Sequence, residues 1–276
     1  MCRWIAYIGK SIYMDTLVTR PAHSLVAQSL NTKMRYKPDG SILAINGDGF
    51  GIGWYGKKDE PGLYKVSDPA WSNENIHEIC SHTEASIFMA HIREATTGEV
   101  QRSNTHPFKY KNWLFQHNGR VNGFDTIRRD LEFEISSELY PQVKGNTDSE
   151  VFFFLALTYG LEKNPKSAIE KTIARIKEAC KARNIPLEIT LSIALSNGSK
   201  LYTARYAYGI ESNSQYYSTH AECMKEINSD FAKMPPDGVV VVSEPLDYSL
   251  EHWEEMPESS FATIVNSNIT IEKLSL

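Results

Sequence analysis

Apolar runs of strand length sit towards both ends of this chain, and long helical periodicity is confined to its middle. Residues 3–9 read as a short strand, and 85–93 and 113–117 as buried strands. Residues 188–195 and 200–206 flank Asn197-Gly198 and read as a hairpin, with further strands at 239–242, 262–265 and 268–274. Residues 41–46 read as one more, ahead of a glycine cluster. The central helices carry their own signals. Residues 150–161 follow Thr147-Asp148-Ser149-Glu150, a capping box, and 167–183 place Ile169, Ile173, Ile176 and Cys180 on one face. Shorter helices are predicted over 21–30, 76–83 and 125–131. No regular strand–helix–strand alternation is visible, which argues against a doubly wound parallel sheet. The order predicts an α+β fold with helices packed on largely antiparallel sheets. No linker or repeat divides the chain, so one domain is expected.

Composition narrows the function classes. The 276 residues are 41% hydrophobic and 23% charged, which suits a folded core rather than a disordered chain. Acidic residues outnumber basic ones, 34 to 29, and no dense Lys/Arg cluster occurs, so no nucleic-acid partner is expected. The most apolar stretch, 151–161, falls short of the roughly 18 residues of a membrane span. The first residues lack the basic lead and apolar run of a secretory signal. The expectation is no membrane partner and a cytoplasmic location, where cysteines 2, 80, 180 and 223 stay reduced. None forms a CxxC pair, so no zinc site is predicted.

Two patterns imitate known sites and fail on context. Gly51-x-Gly53-x-x-Gly56 matches a dinucleotide-binding spacing, but residues 57–62 read as a turn where a helix is required. It is expected to be a glycine-rich loop that passes close to other backbone. His77-Glu78 and His82 are one residue out of step with a helical zinc pair and read as surface histidines.

Four short elements carry chemistry, each with a plainer reading beside it. Cys2 follows the initiator Met1. Removal of Met1 would leave an α-amine, pKa about 7.7–8, beside a thiol of about 8.5, so nucleophile and base would be one residue. The plainer reading is a buried cysteine in the first strand. Arg93 ends an apolar strand inside His91-Ile92-Arg93-Glu94-Ala95-Thr96-Thr97-Gly98. It suits two-pronged binding of a carboxylate, or a structural ion pair. Asn118-Gly119 is either a hairpin turn or a pair of amide donors for an oxyanion. Asp148 belongs to a helix start, yet as a carboxylate it can hold an ammonium group.

In this order the four elements resemble the class II glutamine amidotransferases, a branch of the N-terminal nucleophile (Ntn) hydrolases. Closer still is the stand-alone γ-glutamyl amidohydrolase-like branch. The resemblance is carried also by Met1-Cys2-Arg3, Asp48-Gly49-Phe50-Gly51-Ile52-Gly53-Trp54-Tyr55, Asn104-Thr105-His106-Pro107-Phe108 and Ser243-Glu244-Pro245-Leu246. It implies a four-layer αββα sandwich and a single type-2 glutamine amidotransferase domain over 1–276. It implies that Cys2 attacks a γ-glutamyl amide and forms a thioester, with Asn118 and Gly119 stabilising the oxyanion. Arg93 would bind the substrate α-carboxylate, Asp148 its α-ammonium, and Thr96 and Thr97 would line the adjoining loop. The implied partner is a small γ-glutamyl substrate, with no metal or organic cofactor. A homo-oligomer, or a separate synthase subunit that takes up the ammonia, stays open. A different class, a non-catalytic regulator that binds γ-glutamyl ligands, would gain ground if Met1 were retained, because the α-amine would then be tied up in a peptide bond. Glu94 and Thr97 depart from the aromatic and His residues of many synthase-fused relatives, so the leaving group is left open.

Overall fold

The computed structural model describes residues 2–32, 45–218, 237–247 and 250–276. The chain opens with β1 (Arg3–Tyr13), α1 (Asp15–Val18) and α2 (Leu25–Leu30). It continues through β2 (Phe50–Tyr55), β3 (Gly62–Val66), α3 (Glu74–His82) and β4 (Glu84–Ile92). Next come β5 (Phe108–Tyr110), β6 (Trp113–Val121), α4 (Phe124–Glu132), α5 (Asp148–Thr158) and α6 (Pro165–Ala182). The hairpin β7 (Ile189–Ser196) and β8 (Leu201–Tyr208) follows, then β9 (Tyr216–Ser218), β10 (Val239–Val242), β11 (Trp253–Glu255), β12 (Ser260–Val265) and β13 (Asn268–Lys273).

Among the described residues these strands form two sheets, ordered β11-β9-β10-β1-β4-β2-β3 and β13-β12-β8-β7-β6-β5, antiparallel throughout. Strand alternation assigns each face a layer. Along β1, Ile5 and Tyr7 pack with Leu17, Leu25 and Ile76 of α1–α3, whereas Trp4, Ala6 and Ile8 pack with Leu114 and Ala194 of the second sheet. The other face of that sheet, with Phe115, Leu191 and Ile193, buries α4–α6. The result is the expected four-layer αββα sandwich. Helix α5 is apolar around its whole circumference because it lies between this sheet and its neighbouring helices.

Three local expectations change. The segment 21–30 is helical only from Leu25, because Ser24 accepts the Ala27 N–H (3.2 Å) and caps the helix there. The glycine cluster is not a loop but strand β2, which pairs with both β3 and β4. Its glycines do permit close approach: a Cβ at Gly51 would collide with the His106 carbonyl. Of the strand expected over 41–46, residues 41–44 lie outside the described residues, and 45 and 46 are irregular. His77 and His82 lie on α3, with His82 exposed as predicted. No helix among the described residues is long and apolar enough to cross a membrane.

Candidate active site

Strand register brings the first element to the second. Arg3 pairs with Ile92 and Trp4 with His91, so the antiparallel ladder carries Cys2 to the level of Arg93. Cys2 is half-buried, and its sulfur lies 3.4 Å from both the N and the O of Glu94. Burial pushes its thiol pKa up, and the neighbouring Arg93 and Arg3 charges pull it back. Arg3 holds this end of the chain: its guanidinium donates to the Cys2 carbonyl (3.1 Å) and to Glu244 (2.6 Å). Glu244 also receives His23 Nε2 at 2.6 Å, which completes a buried Arg3–Glu244–His23 network.

Arg93 is buried, and among the described residues no carboxylate lies within 4 Å of it. The structural ion-pair reading is therefore not met. Its guanidinium instead donates to the carbonyls of Glu99 (3.0 Å), Thr97 (2.9 Å) and Gly98 (3.5 Å), which folds the following loop around it. Asp48 holds the same loop through the Ala95 N–H at 2.7 Å. Burial lowers the Arg93 pKa, opposed by the charges of Cys2, Asp48 and Asp148. Thr97 faces Asp148 across 3.4 Å. Thr96 stands on that loop exposed, and no side-chain hydrogen bond ties it to the cluster.

Asn118 and Gly119 correct the hairpin-turn expectation. They lie within β6, which continues to Val121 because β7 pairs with it throughout, Asn118 opposite Ser192 and Gly119 opposite Leu191. The Asn118 side-chain amide makes no hydrogen bond to the described residues, and its Oδ1 is buried. Glycine at 119 is obligatory, since a Cβ would collide with the Thr190 carbonyl and the His117 ring. Gly119→Ala is expected to cost about 1–3 kcal/mol of stability, read as a lowered unfolding midpoint in denaturant.

Asp148 opens α5, one residue after the Thr147 cap. Its carboxylate accepts the Val121 N–H (2.9 Å), the Ser149 N–H (2.8 Å) and the Ser149 hydroxyl (3.2 Å). Helix α5 is thereby tied to β6 two residues beyond Gly119. His117 Nδ1 meets the Ser149 hydroxyl at 2.8 Å, and burial lowers its pKa. His91, stacked on His106 at 4.2 Å, is pulled down to about 3 by burial, so both sheets contribute neutral imidazoles.

Cys2, Arg93, Thr97 and Asp148 are thus linked through the Glu94 backbone and the loop after Arg93, and Asp148 binds Val121 at the end of the strand that carries Asn118 and Gly119. Asp48, His117, Ser149 and Glu244 join them without having been assigned a role from sequence. Asp48 and Glu244 were visible only as parts of longer motifs. Cys80 and Cys180 are buried in helices on outer layers, and burial pushes the Cys80 thiol up to about 12. Cys223 lies outside the described residues. Among the described residues, no three His, Cys, Asp or Glu side chains converge as metal ligands.

The chain is similar to known proteins of the glutamine amidotransferase kind. The family model for class II glutamine amidotransferases matches residues 17–273, a span that begins after Cys2. The chain is 31% identical to the probable glutamine amidotransferase DUG3 of Saccharomyces cerevisiae, over 99% of this chain and 84% of that protein. It is 24% identical to the γ-glutamyl-hercynylcysteine sulfoxide hydrolase of Mycolicibacterium smegmatis, over 99% of this chain and 100% of that one. A solved glutamine aminotransferase class-II domain protein from Silicibacter pomeroyi matches with a TM-score of 0.71 and 31% identity, over 100% of both chains. The chain belongs to the class II glutamine amidotransferases.

Proposed function

We propose that this chain is an amidohydrolase that cleaves the γ-glutamyl amide bond of glutamine or of a γ-glutamyl compound through a thioester on Cys2. The observation that carries the reading is Arg93. It is a buried cation with no carboxylate within 4 Å among the described residues, set beside a half-buried thiol. A γ-glutamyl head is a zwitterion. Its α-carboxylate suits Arg93, and its α-ammonium suits the anionic Asp148 that Thr97 faces. Names of relatives point the same way: one is a γ-glutamyl hydrolase, another a probable glutamine amidotransferase.

In the proposed reaction Met1 is removed and the freed α-amine of Cys2 takes the thiol proton. The sulfur attacks the γ-carbonyl carbon. The resulting oxyanion is met by the Asn118 side-chain amide and the Gly119 N–H. The C–N bond breaks, and the amine leaves with the shuttled proton. Water then attacks the thioester, releases the γ-carboxylate and returns the thiol. In this reading residues 1–276 form one catalytic domain, with Cys2 at its N-terminus once Met1 is removed, acting on a small-molecule substrate. Asn118→Ala is expected to lower kcat by about 10²–10³ with KM little changed, since the lost donor acts on charge that develops in the transition state.

The test is intact-mass analysis after treatment with 6-diazo-5-oxo-norleucine, a glutamine-like electrophile. The expected result is protein without Met1 carrying one adduct on Cys2. Retained Met1, or adducts only on Cys80, Cys180 or Cys223, would overturn the mechanism. A panel of γ-glutamyl amides then defines the leaving group.

A further inference from the structure

Between β3, β5 and the first turns of α5 the surface opens into a cavity of 320 Å³. That volume suits a small ligand. Its buried floor includes Phe108 and Phe154, and Lys65, Arg102, Lys109 and Lys144 surround it.

The charges around this cavity do not balance. Glu150, its lining carboxylate, accepts two backbone N–H groups, those of Lys144 (3.0 Å) and Gly145 (2.6 Å), and its charge also acts on Lys65. Lys109 is paired with Glu60 at 3.0 Å. Lys65 has no carboxylate within 4 Å and donates no hydrogen bond among the described residues. Its ammonium lies 5.2 Å from the Phe108 ring centre, and burial draws its pKa down to about 8. Arg102 uses only Nε, on the Lys65 carbonyl at 3.0 Å, and the rest of its guanidinium has no partner among the described residues. Lys144 donates to the Pro141 carbonyl, so four cations, among them the partly buried Lys65 and the exposed Arg102, meet a single lining carboxylate around one cavity with an aromatic floor. A cation drawn out of water gains most from an anion that shares its site.

We propose that this cavity binds an anion with a small apolar body, its carboxylate or phosphate held by Lys65 and Arg102 and its body resting on Phe108 and Phe154. The site lies outside the residues of the proposed hydrolysis and does not rest on that reading. It is joined to the Arg93 loop nonetheless. Asn104, at the end of the turn that begins with Arg102, donates to the Glu99 carbonyl (2.8 Å), which also receives Arg93 (3.0 Å).

The probes are phenyl phosphate, benzoate and neutral benzamide, titrated while the unfolding temperature and amide NMR shifts are followed. At least one of the two anions should raise the unfolding temperature and saturate, and benzamide should not. A stronger effect of phenyl phosphate assigns the site to phosphates, and a stronger effect of benzoate to carboxylates. Lys65→Met with Arg102→Gln should weaken anion binding by roughly tenfold or more, as expected for charge-assisted hydrogen bonds, while the unliganded protein keeps its fold and unfolding temperature. Lys58→Met, an exposed lysine away from the cavity, should bind as the parent does. Equal stabilisation by benzamide, undiminished binding in the double variant, or no binding of either anion to the parent would overturn the proposal.

Discussion

Cys2→Ala should abolish γ-glutamyl amide hydrolysis, by at least about 10³-fold in kcat, while leaving the protein folded. The size follows from the position. The sulfur is half-buried 3.4 Å from the Glu94 backbone, and no second thiol stands near Arg93 among the described residues. Cys80 and Cys180 sit on outer helices, so neither can substitute. Stability should change little, because the side chain lost is small and not fully buried. Cys2→Ser separates the two parts of the proposed mechanism. It keeps the α-amine and the geometry but offers an alcohol of far higher pKa, so activity should fall nearly as far. Binding of a γ-glutamyl substrate, read by calorimetry, should survive in both variants, since Arg93 and Asp148 are untouched. A Cys2→Ala protein that turns over at the parent rate would remove the cysteine from the chemistry.

The fold was legible where one strand face or one helix stripe decides burial. Strand β1 alternates between two apolar layers, and α6 carries its apolar residues on one face, so period alone located them. What escaped depended on distant partners. Asn118-Gly119 reads as a turn by composition, yet β7, some seventy residues on, supplies a pairing edge that keeps both residues in the strand. The glycines of β2 look like a loop until the His106 carbonyl and Leu114 are seen to occupy the space of their missing side chains. The site divides in the same way. Cys2, Arg93 and Asp148 were singled out by residue type at an element boundary. Glu244 gave no such signal, because a carboxylate in a late strand end says nothing of an arginine 241 positions earlier.

Glu244→Ala should therefore cost about 3–5 kcal/mol, a large part of the 5–15 kcal/mol that holds a typical domain together. The carboxylate is 1% exposed and bridges two partners, Arg3 (2.6 Å, itself 3% exposed) and His23 (2.6 Å). Removing it leaves the Arg3 charge buried without that counter-charge, and desolvation makes this expensive. Differential scanning calorimetry should show the unfolding temperature lowered by on the order of 10 °C. Glu244→Gln keeps the shape and one acceptor, so it should lose less. The strand neighbour Ser243 keeps its own bonds to Trp4, with Trp4 N–H donating to the Ser243 hydroxyl (2.9 Å) and Ser243 N–H to the Trp4 carbonyl (3.0 Å). Damage should thus centre on Arg3 and on the Cys2 carbonyl that Arg3 holds. Labelling by 6-diazo-5-oxo-norleucine measures that second effect below the unfolding temperature. Slower adduct formation on Cys2 in the folded Gln variant would show that the buried network positions the nucleophile as well as stabilising the sandwich. Unfolding within about 1 kcal/mol of the parent for Glu244→Ala would mean the network contributes no more than an exposed ion pair.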